Sequence, residues 1–249
     1  MNSKDRVLLV TGASRGIGAA TALLAASRGY AVCVNFIGNE VQAQKIVQQI
    51  QSDGGKALAV QADVSDPEAV RHLFDQVEDN LGRLDGLVNN AGISGPRSKL
   101  SEMSHEDVQR VLAVNLLGSF YCAQEAVKRM ARSSGGNGGG IVNLSSQAAI
   151  SGGFNISPYA ASKAAINNFT VALSKEVGGE GIRVNAVSPG IIATDQNDPS
   201  ESGLRDKIAR EVPLGRAGTP LEVAEVILWL LSEKASYING SVIPISGGR

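Results

Sequence analysis

The chain has 249 residues with a formal net charge of −1 at pH 7, and 43% of its residues are hydrophobic. This length is ample for a large core, and we expect one α/β domain over residues 1–249. The near-neutral charge gives no reason to expect a nucleic acid or an anionic membrane as a partner, and no apolar run reaches the roughly 18 residues that a membrane-spanning helix needs.

The N-terminal residues and the two cysteines predict a cytoplasmic protein. Residues 1–6 are polar and lead straight into a strand, so we expect no signal peptide. Cys33 and Cys122 lack the spacing of a metal site, and we expect them to be buried thiols of a reducing compartment.

The first predicted strand, residues 7–10, leads into a glycine-rich turn and a helix from about residue 16 to 28. Strand, glycine turn and helix are the context that a dinucleotide-binding motif requires. Gly12 would allow the tight turn, Gly16 would let the backbone approach the pyrophosphate, and Gly18 would let the helix pack on the strand. The spacing is G-x-x-x-G-x-G and not G-x-G-x-x-G.

The second predicted strand, residues 31–36, ends without the carboxylate that NAD-binding proteins place on the ribose 2′-hydroxyl. Residues 35–39, which include Asn35 and Ile37, contain no acid, and the first carboxylate after the strand is that of Glu40. Arg15 lies nearby, in the glycine loop. Arg15 alone would be a solvated loop charge. Together the two features favour NADP(H), with NAD(H) as the second option.

The third predicted strand, residues 57–61, is followed by Asp63 and then by a helix start. Ser65 and Glu68 have the spacing of a capping box, and Pro67 suits the first helical position. Asp63 is therefore either a turn residue or a contact of the adenine.

The fourth predicted strand, residues 84–88, ends in small residues that let a ligand lie close to the backbone at the switch point of a doubly wound sheet. Ser104 then caps a long predicted helix. Asn115 falls near its apolar face, where the local backbone would satisfy the amide or the amide would serve a site. The apolar positions of this helix are Val108, Val111, Leu112, Leu116 and Phe120.

The fifth predicted strand, residues 141–144, delivers Ser146, and Pro158 begins a helix that carries Tyr159 and Lys163 on one face. A free phenol titrates near pH 10. An ammonium about 4 Å away, at an effective dielectric of about 20, would favour the phenolate by about 4 kcal/mol, or roughly three pK units. The spacing thus predicts a lowered pKa and a general acid/base; the alternative is a surface lysine beside a half-buried tyrosine.

A sixth strand (residues 182–187), a polar loop with a short helix (194–218), a helix capped by Thr219 and a last strand (241–245) complete the chain. These elements predict a Rossmann-type doubly wound parallel sheet of about seven strands, flanked by helices on both faces.

Several motifs fall in one order, each at its expected element, and the combination resembles the classical short-chain dehydrogenases/reductases over essentially the whole chain. The resemblance is closest to bacterial sugar/polyol dehydrogenase-like and 3-oxoacyl-carrier-protein-reductase-like members. The motifs are Thr11-Gly12-x-x-x-Gly16-x-Gly18, Asn89-Asn90-Ala91-Gly92, Asn115, Ser146, Tyr159-x-x-x-Lys163 and Pro189-Gly190.

The resemblance implies a catalytic tetrad of Asn115, Ser146, Tyr159 and Lys163, without a metal. Tyr159 would exchange a proton with the substrate oxygen, and Ser146 would hydrogen-bond the same oxygen. Lys163 would hold the nicotinamide ribose and lower the pKa of Tyr159, and Asn115 would hold a water that relays protons.

The expected cofactor contacts, in part implied by the same resemblance, line the carboxyl edge of the sheet. They are Gly12, Ser14, Arg15, Gly16, Ile17, Gly18, Asn35, Ile37, Asp63, Val64, Asn90, Ala91, Gly92, Tyr159, Lys163, Pro189, Gly190, Ile192 and Thr194. The substrate should lie between Ser146, Gln147, Ile150, Tyr159 and the loop at 191–212. That loop mixes Asp195, Asn197, Asp198 and Glu201 with the apolar Ile208 and Val212, and so favours neither a polyol nor an acyl chain.

We therefore expect an NADP-preferring oxidoreductase that acts on the CH–OH group of a sugar, polyol or small keto compound. A 3-oxoacyl-carrier-protein reductase and a non-catalytic NADP(H)-binding regulator are the alternatives. Small apolar faces on the helices at 104–132 and 158–177 predict a homo-oligomer, which the family pattern suggests is a tetramer.

Overall fold

Seven parallel strands form the centre of the protein in the computed structural model, which describes residues 6–194, 208 and 210–249. They are β1 (Arg6–Val10), β2 (Tyr30–Phe36), β3 (Ala57–Gln61), β4 (Leu84–Asn89), β5 (Gly139–Leu144), β6 (Ile182–Pro189) and β7 (Val242–Ile245). Their order is β3-β2-β1-β4-β5-β6-β7, so the winding reverses between β1 and β4. This is the predicted Rossmann-type topology, whose ligand crevice lies at that reversal, at the carboxyl ends of the strands.

Helices cover both faces of the sheet, as predicted. Side chains of a strand alternate between faces, so Val7 and Leu9 join one core while Leu8 and Val10 join the other. The helices that the structure describes are α1 (Gly16–Ser27), α2 (Glu40–Ser52), α3 (Pro67–Leu81), α4 (His105–Leu112), α5 (Gly118–Met130), α6 (Ala148–Ser151), α7 (Ser157–Val177) and α8 (Pro220–Leu231). The first core lies beneath α3, α5 and α7, and the second beneath α1, α2 and α8.

The three predicted helix starts are confirmed, including Pro67 as the first residue of α3, but one of the predicted caps is wrong. Ser104 caps α4, and Thr219 caps α8 in a complete capping box with Glu222. Before α3, however, the cap is Asp66, whose carboxylate accepts from the N–H groups of Glu68 and Ala69. The expected box with Ser65 does not form.

The long helix predicted after Ser104 is interrupted, and its predicted apolar face is wrong beyond that point. A π-helical turn, Ala113–Leu117, stands between α4 and α5. Because a π turn inserts an extra residue, it rotates the following helix relative to the preceding one. Val111 is therefore buried as expected, whereas Phe120 is 38% exposed and Cys122 is buried instead.

Cys33 and Cys122 are both free and fully buried, as predicted. Burial raises the pKa of both thiols, to about 12 for Cys122. Within the described part of the chain, no helix is long and apolar enough to cross a membrane.

Candidate active site

The glycine-rich turn after β1 approaches the chain that follows β4. Gly12 and Gly16 have φ angles of 61° and 58°, which only glycine adopts readily. A Cβ at Gly12 would lie 2.9 Å from the Cα of Ala91. α1 then begins with no side-chain cap and no acidic residue in its first turn, so its N–H groups remain available to an anion.

Asn90 fastens this turn to the end of β4. Its Nδ2 donates to the carbonyl oxygens of Thr11 at 2.8 Å and Gly12 at 2.9 Å, and the Thr11 hydroxyl oxygen accepts from the N–H groups of Asn90 and Ala91. A Cβ at Gly18 would lie 2.5 Å from Asn90 Nδ2, so Gly18 makes room for the bridge. The amide hydrogens of Asn90, a predicted cofactor contact, thus serve the turn itself.

Two further predicted cofactor contacts are buried in the fold. Asn35 is 1% exposed, its Oδ1 accepts from the N–H of Gly12, and its Nδ2 points to backbone carbonyls around the end of β3. Val64 is buried against Gly118, where a Cβ would meet it at 2.7 Å. Both side chains are used in packing, so the predicted contacts of these two residues with a cofactor would be made by their backbone groups and stay a prediction.

Asp63 behaves as a turn residue that is tied to α4. Its Oδ1 accepts from the N–H and hydroxyl of Ser65, and its Oδ2 accepts from Arg110 at 2.9 Å. Burial acts to raise the pKa of Asp63, but the hydrogen bonds from Ser65 and Arg110 outweigh it and hold the pKa below its ordinary value. Of the two alternatives for Asp63, this geometry favours the turn.

Arg15 and Ile37 are both solvent-exposed, next to the glycine turn and the end of β2. Arg15 forms no ion pair with any residue that the structure describes. Ser14 and Ile17, also predicted contacts, are half-buried on the same turn. Within the described part of the chain, this edge therefore offers a guanidinium without an ion-pair partner, and an isoleucine stands where NAD-binding proteins place a carboxylate.

The segment after β6 meets the glycine turn from the other half of the sheet. The Cγ2 of Thr194 lies 3.6 Å from where a Cβ of Gly16 would stand. Gly190 donates its N–H to the carbonyl of Ile245 at 2.9 Å, and Ile192 is buried. The structure thus brings predicted cofactor contacts from the two halves of the chain to one crevice.

Ser146, Tyr159 and Lys163 come together beyond the end of β5. The Lys163 Nζ donates to the carbonyl of Leu144 at 2.6 Å and lies 5.8 Å from the centroid of the Tyr159 ring. Lys163 is only 5% exposed, and this burial lowers the pKa of its ammonium to about 8. The Ser146 Oγ accepts from the N–H of Ala148 at 3.1 Å.

The expected lowering of the Tyr159 pKa is wrong for this structure. Burial raises the pKa of Tyr159 above that of a free phenol, and the hydroxyl of Ser146 only partly opposes the rise. Burial and the Ser146 hydroxyl set the direction of the shift, and the Lys163 Nζ donates to the Leu144 carbonyl. The alternative of a surface lysine is also wrong, because Lys163 is buried.

Asn115 is fully buried in the π-helical turn, and its carboxamide is completely hydrogen-bonded. Its Oδ1 accepts from the N–H of Ile93 at 2.8 Å, and its Nδ2 donates to the carbonyl of Ile93 at 2.9 Å and to the Ser162 hydroxyl at 3.1 Å. Two of the three hydrogen bonds of this carboxamide are therefore made with backbone groups, as one of the two alternatives predicted. Ser162 was missed by the sequence reasoning, although it stands within the Tyr159–Lys163 turn.

The side chain of Gln147, a predicted substrate contact, is hydrogen-bonded to Ser188. Its Nε2 donates to both the carbonyl and the hydroxyl of Ser188, at 3.1 and 3.0 Å, which joins the end of β5 to β6. Ile150 is 78% exposed, and Ile208 and Val212 are buried. The other loop residues that we considered lie outside the described residues: Asp195, Asn197, Asp198 and Glu201.

Known proteins are similar to this chain in sequence and in architecture. A family model described as enoyl-(acyl carrier protein) reductase matches residues 12–249. The solved structure of a short-chain dehydrogenase from Burkholderia cenocepacia J2315, in complex with NADP, superimposes with a TM-score of 0.92 at 35% identity, over 99% of each chain.

The chain belongs to the short-chain dehydrogenase/reductase family. Two curated relatives agree with this assignment to an oxidoreductase family. The uncharacterized oxidoreductase YgfF of Escherichia coli K12 is 47% identical over 249 residues, 98% of this chain and 99% of the relative. The 3-oxoacyl-[acyl-carrier-protein] reductase FabG of Staphylococcus aureus (strain Mu50 / ATCC 700699) is 38% identical over 240 residues, 96% of each chain.

Proposed function

We propose that this enzyme interconverts a carbonyl group and a secondary alcohol by hydride transfer, with Tyr159 as general acid and base. The observation that carries the proposal is the grouping of Ser146, Tyr159 and a buried Lys163 at the carboxyl end of β5. In reduction the Tyr159 hydroxyl gives its proton to the carbonyl oxygen; in oxidation the phenolate takes the alcohol proton. The Ser146 hydroxyl donates to the same oxygen as negative charge develops on it.

The residues present fit a nicotinamide dinucleotide. Among the described residues, the Lys163 ammonium has one acceptor for its three N–H donors, so two donors suit the hydroxyl groups of a ribose. A Cβ at Gly92 would lie 3.5 Å from Lys163 Nζ and would fill that space. The glycine turn and the uncapped start of α1 would hold the pyrophosphate, and the cofactor supplies the hydride.

The substrate in this proposal is a sugar, a polyol or a small keto compound, with the CH–OH group as the donor in oxidation. The curated relative FabG supports a 3-oxoacyl thioester as the second candidate. Turnover of a panel of ketoses, polyols, small ketones and 3-oxoacyl thioesters would separate these classes. Binding of NADPH without turnover of any member of the panel would instead favour the non-catalytic NADP(H)-binding regulator.

We expect a preference for NADP(H) that depends on the exposed edge at Arg15 and Ile37. Replacing Ile37 with aspartate should lower kcat/KM with NADPH about tenfold or more relative to NADH. The new carboxylate would repel the 2′-phosphate of NADPH. Two like unit charges about 4 Å apart repel each other by about 1 kcal/mol in water and by about 4 kcal/mol at an effective dielectric of 20. Steady-state kinetics with both cofactors measure the ratio.

Ile37→Asn is the matched control, because asparagine has the size of aspartate without its charge. It should keep most of the preference for NADPH. Equal turnover of the wild type with NADH and NADPH would contradict the assignment.

We also propose that the protein is a homo-oligomer, and the pairing of helices that is common in the family points to a tetramer. Apolar surface is exposed at the end of the π-helical turn, on α5 and on α7, where Leu117, Phe120 and Val171 are 43%, 38% and 36% exposed. Phe120 also stacks on Phe169. Light scattering at micromolar concentration should show an oligomer that Phe120→Glu weakens. Val41→Glu, at a residue 66% exposed on α2, should leave it intact. A monomeric wild type would refute the proposal.

We place the enzyme in the cytoplasm. The support is chemical: both cysteines are free thiols buried in separate elements, β2 and α5, as suits a compartment that keeps thiols reduced.

A further inference from the structure

We propose that Ser162 is a positioning residue, whose buried hydroxyl holds Asn115 and the Tyr159 turn of α7 in a fixed relation. The inference rests on the proposed function, since it concerns the placement of the same acid/base. Ser162 is fully buried, and its two hydrogen bonds run in opposite directions. The hydroxyl donates to the carbonyl of Tyr159 at 2.7 Å and accepts from Asn115 Nδ2 at 3.1 Å.

Ser162 connects three parts of the site. The other hydrogen bonds of the Asn115 carboxamide go to the backbone of Ile93, in the segment after β4. Among the residues that the structure describes, Ser162 is the one residue of α7 that hydrogen-bonds this carboxamide. A Cβ at Gly92 would lie 3.3 Å from Asn115 Oδ1 and 3.5 Å from Lys163 Nζ, so the Asn115 amide also borders the ammonium.

Asn115 lies in a π-helical turn and Tyr159 on a separate, regular helix, and the Ser162 hydroxyl is hydrogen-bonded to both. Without the Ser162 hydroxyl, one N–H of Asn115 is buried without an acceptor, and the amide must move or remain unsatisfied. The carbonyl of Tyr159 still has its place in the helical ladder of α7. The loss should therefore appear as a misplaced active site and not as a lost helix, and small misplacements of catalytic groups cost rate.

The same helix contains a matched control at Thr170. Thr170 is also fully buried, its hydroxyl donates to the carbonyl of Ile166 at 2.8 Å, and its oxygen accepts from Asn143 Nδ2 at 2.9 Å. The chemistry is the same: a buried hydroxyl that bridges an asparagine amide and a helix carbonyl. Thr170 lies about two turns beyond Lys163, so it tests the structural share of the effect alone.

The experiment compares Ser162→Ala, Thr170→Ala, Asn115→Ala and the Ser162→Ala/Asn115→Ala double variant on one active substrate. We expect kcat to fall about tenfold in Ser162→Ala and less than about twofold in Thr170→Ala. The loss of thermal stability should be at least as large in Thr170→Ala, because that change also removes a buried methyl group. The NADPH dissociation constant from fluorescence titration should change less than about twofold in Ser162→Ala. The double variant should be as slow as Asn115→Ala alone, because Ser162 acts through Asn115.

The inference is overturned if Ser162→Ala keeps wild-type kcat, if Thr170→Ala loses as much, or if the two effects multiply in the double variant. Ser162→Cys, whose sulfur is a weak acceptor, gives the same comparison should the alanine variant not fold. Tyr159→Phe on the same substrate distinguishes a failure of the proposed function from a failure of the role of Ser162. If that variant stays active, the proposed function fails; if it is inactive and Ser162→Ala is fast, only the role of Ser162 fails. A wild type without turnover would overturn both.

Discussion

Replacing Tyr159 with phenylalanine should lower kcat by about a hundredfold or more, while the dissociation constant of NADPH stays within about twofold. The change removes one oxygen, and the ring that packs beside Lys163 remains. Since the hydroxyl has its task only when a proton moves, its loss should affect kcat and not binding. Turnover and fluorescence titration of the same preparation measure both quantities.

Tyr237→Phe is the control, because Tyr237 is fully exposed and loses the same hydroxyl without consequence for the site. Tyr159→Phe with more than about a tenth of wild-type kcat would exclude Tyr159 as the acid/base. Because the pKa of Tyr159 is raised, the phenol is protonated at neutral pH and can donate its proton in carbonyl reduction. Alcohol oxidation needs the phenolate, so its rate should rise with pH.

Replacing Lys163 with methionine should damage both turnover and cofactor binding. Hydrogen bonds to a charged group contribute about 1.5–3 kcal/mol, so the NADPH dissociation constant should rise by about ten- to a hundredfold. Turnover should fall by about a hundredfold as well, because the group that orients the cofactor beside Tyr159 is lost. Calorimetry or fluorescence titration gives the affinity, and steady-state kinetics give kcat.

Folding provides the internal check on Lys163. Methionine fills much of the same volume and removes a buried charge whose pKa is already lowered to about 8, so thermal stability should not fall. Lys175→Met, at an exposed position on the same helix, should change neither activity nor affinity. Unchanged NADPH affinity in Lys163→Met would contradict the assignment of the ribose to this ammonium.

The sheet and the cofactor crevice could be predicted because their signals are local. The apolar run before Gly12 has the composition of a central parallel strand, and the glycine spacing predicts both the turn and the start of α1. Pro158 likewise places the helix that carries Tyr159 and Lys163 on one face.

The hydrogen-bond partners of the site residues and the pKa of Tyr159 could not be predicted, because they depend on contacts between distant segments. Asn35 is a plausible cofactor contact at the end of a strand, and only the fold shows that its amide is bound by Gly12 and by backbone beyond β3. The pKa of Tyr159 depends on how deeply the side chain is buried and on its hydrogen bond with the Ser146 hydroxyl. Spacing along a helix determines neither quantity.

The π-helical turn at Ala113–Leu117 also limits which changes of length this protein can accept. An α-helix turns about 100° per residue. Deleting one residue here would therefore restore a continuous α-helix and rotate α5 about its own axis by roughly that angle. Phe120 would then turn toward the core, and Cys122 and Ala126 would leave it. Insertions and deletions are usually tolerated best outside helices and strands, yet at this turn a single residue decides which side of a whole helix faces the sheet.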